Sequence, residues 1–129
     1  MKTALRFLLV PLAALCLAFL PGCVAVVAGA AGAGTVAWVN GRLDATLEKD
    51  IESVKNAVSQ AITQLQFAKI SERKDALTAI FVVRTAEDKK IEIKVFKIVD
   101  QASKVQIRVG FFGDQPLQLT VLDKIKSNL

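Results

Sequence analysis

The sequence contains no histidine and no tyrosine, and only two of its 129 residues are cysteines. Cys16 lies inside an apolar leader and Cys23 follows that leader directly. Removal of the leader would leave a single cysteine, which excludes an intrachain disulfide. The absence of histidine excludes the usual transition-metal sites and the Ser-His and Cys-His catalytic pairs. We therefore predict a protein that is not an enzyme and that holds no metal and no cofactor.

Charge is almost missing from the first forty residues, which carry only Lys2 and Arg6. The remainder of the chain has fifteen basic and twelve acidic residues, a modest excess of positive charge. Recognition of nucleic acid needs lysine and arginine clustered on one face, so this balance predicts no nucleic-acid partner. The length allows one domain.

Residues 1–22 have the features of a signal peptide. Two positive charges precede the apolar run Phe7–Phe19, and a small residue, Gly22, stands at the expected cleavage point. The apolar run is shorter than the roughly 20 residues that a membrane-spanning helix requires. The pattern therefore predicts secretion.

The sequence Leu20-Pro21-Gly22-Cys23 resembles the lipobox of bacterial lipoproteins. This resemblance implies cleavage between Gly22 and Cys23, with a diacylglycerol on the Cys23 sulfur and an acyl chain on its new amino group. Val24 stands where an aspartate would commonly retain a lipoprotein in the inner membrane. The resemblance therefore implies an outer-membrane protein of a Gram-negative bacterium, anchored by acyl chains such as palmitate and facing the periplasm. The alternative is a plain signal peptide in which Cys23 is incidental.

Residues 23–40 are interpreted as the lipidated cysteine and a membrane-proximal segment. This stretch has no charge and is rich in glycine and alanine. Its small residues recur at the four-residue spacing that lets helices approach closely in an apolar environment, which predicts self-association through Gly29, Gly32 and Gly34. A flexible apolar tether is the alternative. Trp38 suits either the membrane interface or the core.

Residues 41–129 are predicted to form a periplasmic α+β domain. Alternation of apolar and polar residues predicts a strand around Leu43–Leu47, and Asp50 is expected to cap a helix that runs to about Gln66. Three antiparallel strands and a final helix, capped by Asp114, follow. The expected order is β-α-β-β-β-α, a two-layer sandwich of a four-stranded sheet with two helices on one face. A change of phase near Phe96–Ile98 predicts a bulge.

Several stretches of the mature chain carry a second resemblance: GAAGAGTVAWVNGRLDATL, RVGFFGD and the closing LDKIKSNL. They look like a family of small Gram-negative lipoproteins that is known only as a domain of unknown function. The resemblance implies location and architecture, and supplies no catalytic residues. The order of elements is also similar to the helix-grip modules of lipoproteins in the outer-membrane protein assembly machine, which is an analogy of fold.

Two surfaces are candidates for partner contact. The sheet face opposite the helices is expected to show Lys90, Glu92, Lys94, Gln106 and Arg108. Cross-strand pairing of mixed charges is one interpretation, and a basic surface for anionic headgroups or peptidoglycan is the other. Of the neighbouring pair Phe111-Phe112, one ring is expected to face the core and the other to point away, which makes Phe112 a candidate contact.

The predicted function is that of a lipid-anchored outer-membrane lipoprotein with a small non-catalytic periplasmic domain. It would serve as an envelope structural or assembly accessory or as a binding module. Its expected partners are membrane lipid through acylated Cys23, an envelope protein, and a second copy of the chain. The alternative is a periplasmic carrier of an apolar ligand held between sheet and helices, which a cavity under Phe67, Phe81 and Phe96 would favour.

Overall fold

The computed structural model describes residues 33–129, which form one antiparallel sheet of six strands and two helices. The predicted signal peptide, the predicted cleavage site at Gly22 and Cys23, and the predicted self-association residues Gly29 and Gly32 lie outside the described residues. The elements are β1 (Ala33–Val39), β2 (Arg42–Leu47), α1 (Ile51–Gln64), β3 (Ala68–Lys74), β4 (Thr78–Arg84), β5 (Lys90–Val99), β6 (Ala102–Val109) and α2 (Gln115–Ser127).

The strands lie in the order β1-β2-β6-β5-β4-β3, and every neighbouring pair is antiparallel. Strands β3 to β6 form a meander, and the β1–β2 hairpin joins it through β6. Helix α1 carries the chain from β2 across the sheet to the far strand β3. Neither helix within residues 33–129 is both long enough and apolar enough to cross a membrane.

The predicted four-stranded sheet is wrong, because the sheet gains β1 on one side and β3 on the other. Both added strands lie at the margin of the described sheet, and their described side chains are largely exposed. Every residue of β3 is exposed, and the side chains of Val36, Trp38 and Val39 in β1 are each about 40% exposed. A strand with one hydrogen-bonded neighbour and a thinly covered face needs no regular alternation of apolar residues, so its sequence carries a weak signal.

Strand β1 also corrects the interpretation of the glycine-alanine stretch. Residues 33–39 are extended and pair with β2, so a helix or a loose tether is wrong for this part, and Gly34 lies in a strand. Asn40 and Gly41 close the hairpin with φ angles of 50° and 75°, as a two-residue turn between twisted strands requires. The folded domain therefore includes at least residues 33–40, which the sequence analysis assigned to the membrane-proximal segment.

The core lies between the sheet and the two helices. Leu43, Ala45 and Leu47 point into it, as their alternation predicts, and they meet the inward side chains of β6, β5 and β4. The remaining core side chains come from one face of each helix: Ile51, Val54, Ala57, Val58, Ala61, Ile62, Val121, Leu122 and Ile125.

Both predicted helix starts are confirmed. The Asp50 side chain accepts a hydrogen bond from the Ser53 backbone N–H at 3.0 Å, and Asp114 does the same for Leu117 at 3.1 Å. Helix α1 ends at Gln64, earlier than predicted, because Gln66 adopts the left-handed conformation with φ 58°. The predicted bulge in β5 is also present, as a register shift between Lys97 and Val99.

A backbone contact between two glycines joins the β1–β2 turn to the β6–α2 loop. A Cβ atom on Gly113 would lie 2.3 Å from the Gly41 carbonyl oxygen, and one on Gly41 would lie 2.5 Å from the Phe112 carbonyl oxygen. The buried Gln118 side chain of α2 donates from Nε2 to the carbonyl oxygens of Gly41, at 2.8 Å, and Ile107, at 3.0 Å. The hairpin, strand β6 and helix α2 are thus held together at one point.

We expect Gly113→Ala to lower the free energy of unfolding by about 2 kcal/mol or more, because the new methyl group strikes backbone and the φ of 86° is strained for alanine. Gly110→Ala is the matched control: its φ is 62°, but a Cβ there meets nothing within 4 Å, so the cost should stay near 1 kcal/mol. Chemical denaturation followed by fluorescence of Trp38, the single tryptophan, measures both. Equal losses in the two variants would contradict the close contact.

Candidate functional site

The sheet face opposite the helices, called the open face below, carries most of the excess positive charge of the domain. Strand registers and burial place seven basic and two acidic side chains on it. The rest of residues 33–129 carries eight basic and ten acidic residues. The open face is therefore strongly positive on a domain whose other surfaces are slightly negative. Its charged residues are Arg42, Asp44, Arg73, Arg84, Lys90, Glu92, Lys94, Lys104 and Arg108.

All five residues predicted for this face lie on it. Glu92 stands opposite Arg108, and Lys94 stands opposite Gln106, in the pairing of β5 with β6. The sequence analysis did not place four further basic residues on this face. Arg42 and Lys104 come from β2 and β6, while Arg73 and Arg84 come from β3 and β4. The alternation within each strand was the available signal for Arg42 and Arg84, but only strand order shows that they share one surface.

Cross-strand pairing of opposite charges accounts for only part of this arrangement. Arg42 stands directly opposite Arg108, and Arg84 stands directly opposite Lys90. Like charges opposite each other in a sheet are destabilising. Glu92 and Arg108 form one facing pair of opposite charge, which is stabilising, whereas two facing pairs carry like charges. In each of these two pairs one charge is offset by a carboxylate, because Arg42 lies 2.7 Å from Asp44 and Arg84 lies 2.7 Å from Asp88.

Asp44 is the main neutralising group of the open face. Its carboxylate accepts hydrogen bonds from Arg42, at 2.7 and 3.2 Å, and lies 3.2 Å from the Lys104 ammonium. Gln106 donates a weaker bond to it at 3.4 Å. Burial raises the pKa of Asp44, but the hydrogen bonds and charges of Arg42 and Lys104 outweigh burial and hold that pKa below its ordinary value. Asp44 is therefore ionised at neutral pH.

The second candidate surface is an aromatic tip at one end of the sheet, formed by Trp38, Val39, Phe111 and Phe112. The expectation that Phe111 faces the core is wrong: the two phenylalanines are 83% and 87% exposed, and their rings pack edge to face with centroids 5.0 Å apart. Gly110, with φ 62°, interrupts the strand after Val109, so the alternation that would turn Phe111 inward stops there. Phe112 is exposed, as predicted.

The cavity expected under Phe67, Phe81 and Phe96 is not formed by these residues. Phe81 is buried on the helix side of β4, whereas Phe96 lies on the open face opposite Lys104. Phe67 lines a different space, an open cleft of about 500 Å³ between the end of α1 and the start of α2. This cleft is mixed in character: Leu65 and Leu117 contribute apolar walls, and the ion pair of Lys89 and Asp114, at 2.7 Å, lies at its rim.

No group of three or more aspartate, glutamate, cysteine or histidine side chains within residues 33–129 is arranged to hold a metal ion. The described surfaces offer ion pairing on the open face and apolar contact at the aromatic tip.

The fold is thus an α+β domain in which one face of a six-stranded sheet is left without helices. The chain belongs to the family described as "Protein of unknown function (DUF3568)", whose match covers residues 6–128. This confirms the predicted resemblance to a family of unknown function. The matched range includes Cys23, but the family description does not mention lipid, so lipidation stays a prediction. The chain has no match among the curated proteins.

We expect Asp44→Asn to lower the free energy of unfolding by about 1 kcal/mol at neutral pH, because Arg42 and Lys104 lose their shared carboxylate. Since the pKa of Asp44 is lower in the folded state, its contribution is present above its ordinary value of 3.8 and disappears as the pH falls through the lower folded value. Unfolding measured from pH 7 down to pH 2 should therefore show a smaller acid-induced loss in the variant.

Glu92→Gln is the matched control, because the carboxylate of Glu92 lies on a half-exposed part of the same face and forms a single salt bridge within residues 33–129, to Lys94 at 3.0 Å. It should cost less than about 0.5 kcal/mol. An Asp44→Asn variant as stable as the wild type at pH 7 would show that Asp44 does not neutralise this face.

Proposed function

We propose that the protein is a lipid-anchored outer-membrane lipoprotein with a non-catalytic periplasmic domain, which acts as a binding module and envelope accessory. The observation that carries the proposal is the sequence Leu20-Pro21-Gly22-Cys23 at the end of an apolar leader with a basic start. Two or three acyl chains on Cys23 would hold the chain firmly at the bilayer, whereas a single chain holds marginally.

The distance between the anchor and the folded domain is short. Ala33, where strand β1 begins, follows Cys23 by ten residues, and ten residues span at most about 36 Å when fully extended. The anchor therefore confines the domain to a thin layer beside the membrane. Confinement raises the local concentration of the domain near any partner in that layer and strengthens weak contacts without new interactions.

The open face is the surface that we assign to the partner. Its excess of five positive charges suits an anionic envelope component such as lipid headgroups or peptidoglycan. The carrier alternative has less support, because Phe81 and Phe96 lie on opposite faces of the sheet and cannot line one ligand cavity.

We expect Cys23→Ala to abolish incorporation of a fatty-acid probe in cells and to remove the protein from the outer-membrane fraction. Cys16→Ala is the control, because Cys16 lies within the leader and should be discarded with it. Labelling that is unchanged in Cys23→Ala would refute the anchor, and labelling lost equally in Cys16→Ala would show that the assay reports leader function and not acylation.

For the open face, the double variant Lys94→Glu with Arg108→Glu should weaken binding by about ten-fold or more, at roughly 1 kcal/mol for each cation near an anionic surface. Binding of a secreted, non-lipidated form is measured on peptidoglycan and on anionic vesicles at increasing salt. The control, Lys124→Glu with Lys126→Glu on α2, makes the same change in net charge away from the open face. Equal weakening by both variants would assign binding to net charge alone.

A further inference from the structure

We propose that the aromatic tip inserts into the surface of the bilayer that holds the anchor, so that the domain is attached at two points. The proposal rests on the lipid attachment proposed above. Phe111 and Phe112 are the two most exposed large apolar side chains among the described residues, and Trp38 and Val39 lie at the adjoining hairpin end. Exposed apolar residues scattered singly need no explanation. Phe111 and Phe112 are not scattered, because their rings pack on each other with centroids 5.0 Å apart.

The tip is held rigidly and not on a loose loop. The Gly110 N–H donates to the Lys90 carbonyl oxygen at 2.8 Å, and Gly113 contacts the Gly41 backbone. The side chain of Gln118 also stabilises the β1–β2 turn, because it donates a hydrogen bond to the Gly41 carbonyl oxygen. Aromatic rings on a preorganised support lose little conformational entropy when they bind. The support explains how two rings can stay together and outside the core.

The surroundings of the tip favour a lipid surface as its occupant. The rings project from the molecule, which suits entry into a deformable apolar layer, and tryptophan is enriched where apolar and polar regions of a membrane meet. Cations flank the tip: the Arg108 guanidinium donates to the Asn40 carbonyl oxygen at 3.3 Å, and Lys90 is the residue bonded to Gly110. Arginine and lysine beside inserted aromatic rings complement the phosphates of anionic lipids.

The length of chain before β1 allows both attachments together. Strand β1 runs from Ala33, beside Leu47, to Val39 at the tip, and its seven residues span about 23 Å. The ten residues from Cys23 to Ala33 reach at most about 36 Å. The chain can therefore leave the bilayer at Cys23, pass alongside the domain and enter β1 at the far end while the tip touches the same bilayer.

Fluorescence of Trp38, the single tryptophan, tests this directly. The processed full chain is extracted from membranes and reconstituted into vesicles of phosphatidylethanolamine and phosphatidylglycerol, with or without bromine on the acyl chains. We expect brominated chains to quench Trp38, and the double variant Phe111→Ser with Phe112→Ser to lose at least about half of that quenching, because the tip no longer enters the bilayer.

Leu77→Ser is the matched control. Leu77 is 61% exposed in the turn between β3 and β4, at the end of the sheet remote from the tip, so its quenching should equal that of the wild type. Equal quenching in the wild type and the phenylalanine variant overturns the proposal. Fatty-acid labelling of the same preparations reports the anchor separately, so that loss of the tip contact and loss of the lipid cannot be confused.

A photo-crosslinking amino acid at position 112 in living cells identifies the occupant. Crosslinks to lipid, without a new protein band, are expected. A crosslinked band at twice the mass of the chain would assign the tip to a second copy, a band of another fixed mass would assign it to an envelope protein, and either band overturns the membrane proposal.

Discussion

The arrangement of the whole domain depends on the contact between Gly41 and Gly113. Neither position has room for a Cβ atom, and the buried side chain of Gln118 bonds to the same turn. Through this contact the β1–β2 hairpin stays attached to the end of β6 and the start of α2. It lies next to the β2–β6 pairing that sets Arg42 beside Arg108 on the open face, and it supports the loop that exposes Phe111 and Phe112. Both candidate surfaces therefore depend on one close approach of two backbones.

The two outer strands of the described sheet differ in how they meet solvent. Strand β3 carries Lys69, Glu72 and Lys74, whose ion pairs cover its surface, and such charges discourage pairing with another chain. Strand β1 has no charge over Ala33–Val39. An uncharged apolar strand at the margin of a sheet would be a hazard on a freely diffusing domain. If the proposed anchor and tip hold the domain beside a bilayer, this hazard is smaller.

The open face shows a balance between stability and recognition. Asp44 neutralises Arg42 and Lys104 and reduces repulsion among closely spaced cations, but a clear positive excess remains around it. If the domain is fixed by acylated Cys23 at one point and by the tip at another, this face is presented in a constant direction. A weak electrostatic contact then becomes effective because it is repeated in the same geometry at high local concentration.

Periodicity in the sequence was enough for the elements that bury a full face. Leu43, Ala45 and Leu47, the face of α1 and the caps Asp50 and Asp114 follow from local spacing and from hydrogen bonds within a few residues, so the sequence alone determined them. The same local information determined membership in a family of unknown function.

The strand identity of residues 33–39 and of β3 was decided only by the tertiary structure, because those residues gain their order from hydrogen bonds to a distant partner and not from burial of their own side chains. The positive charge of the open face and the exposed position of Phe111 were likewise decided only by the tertiary structure. Each depends on strand order and on a backbone contact between residues more than seventy positions apart, which no local pattern records.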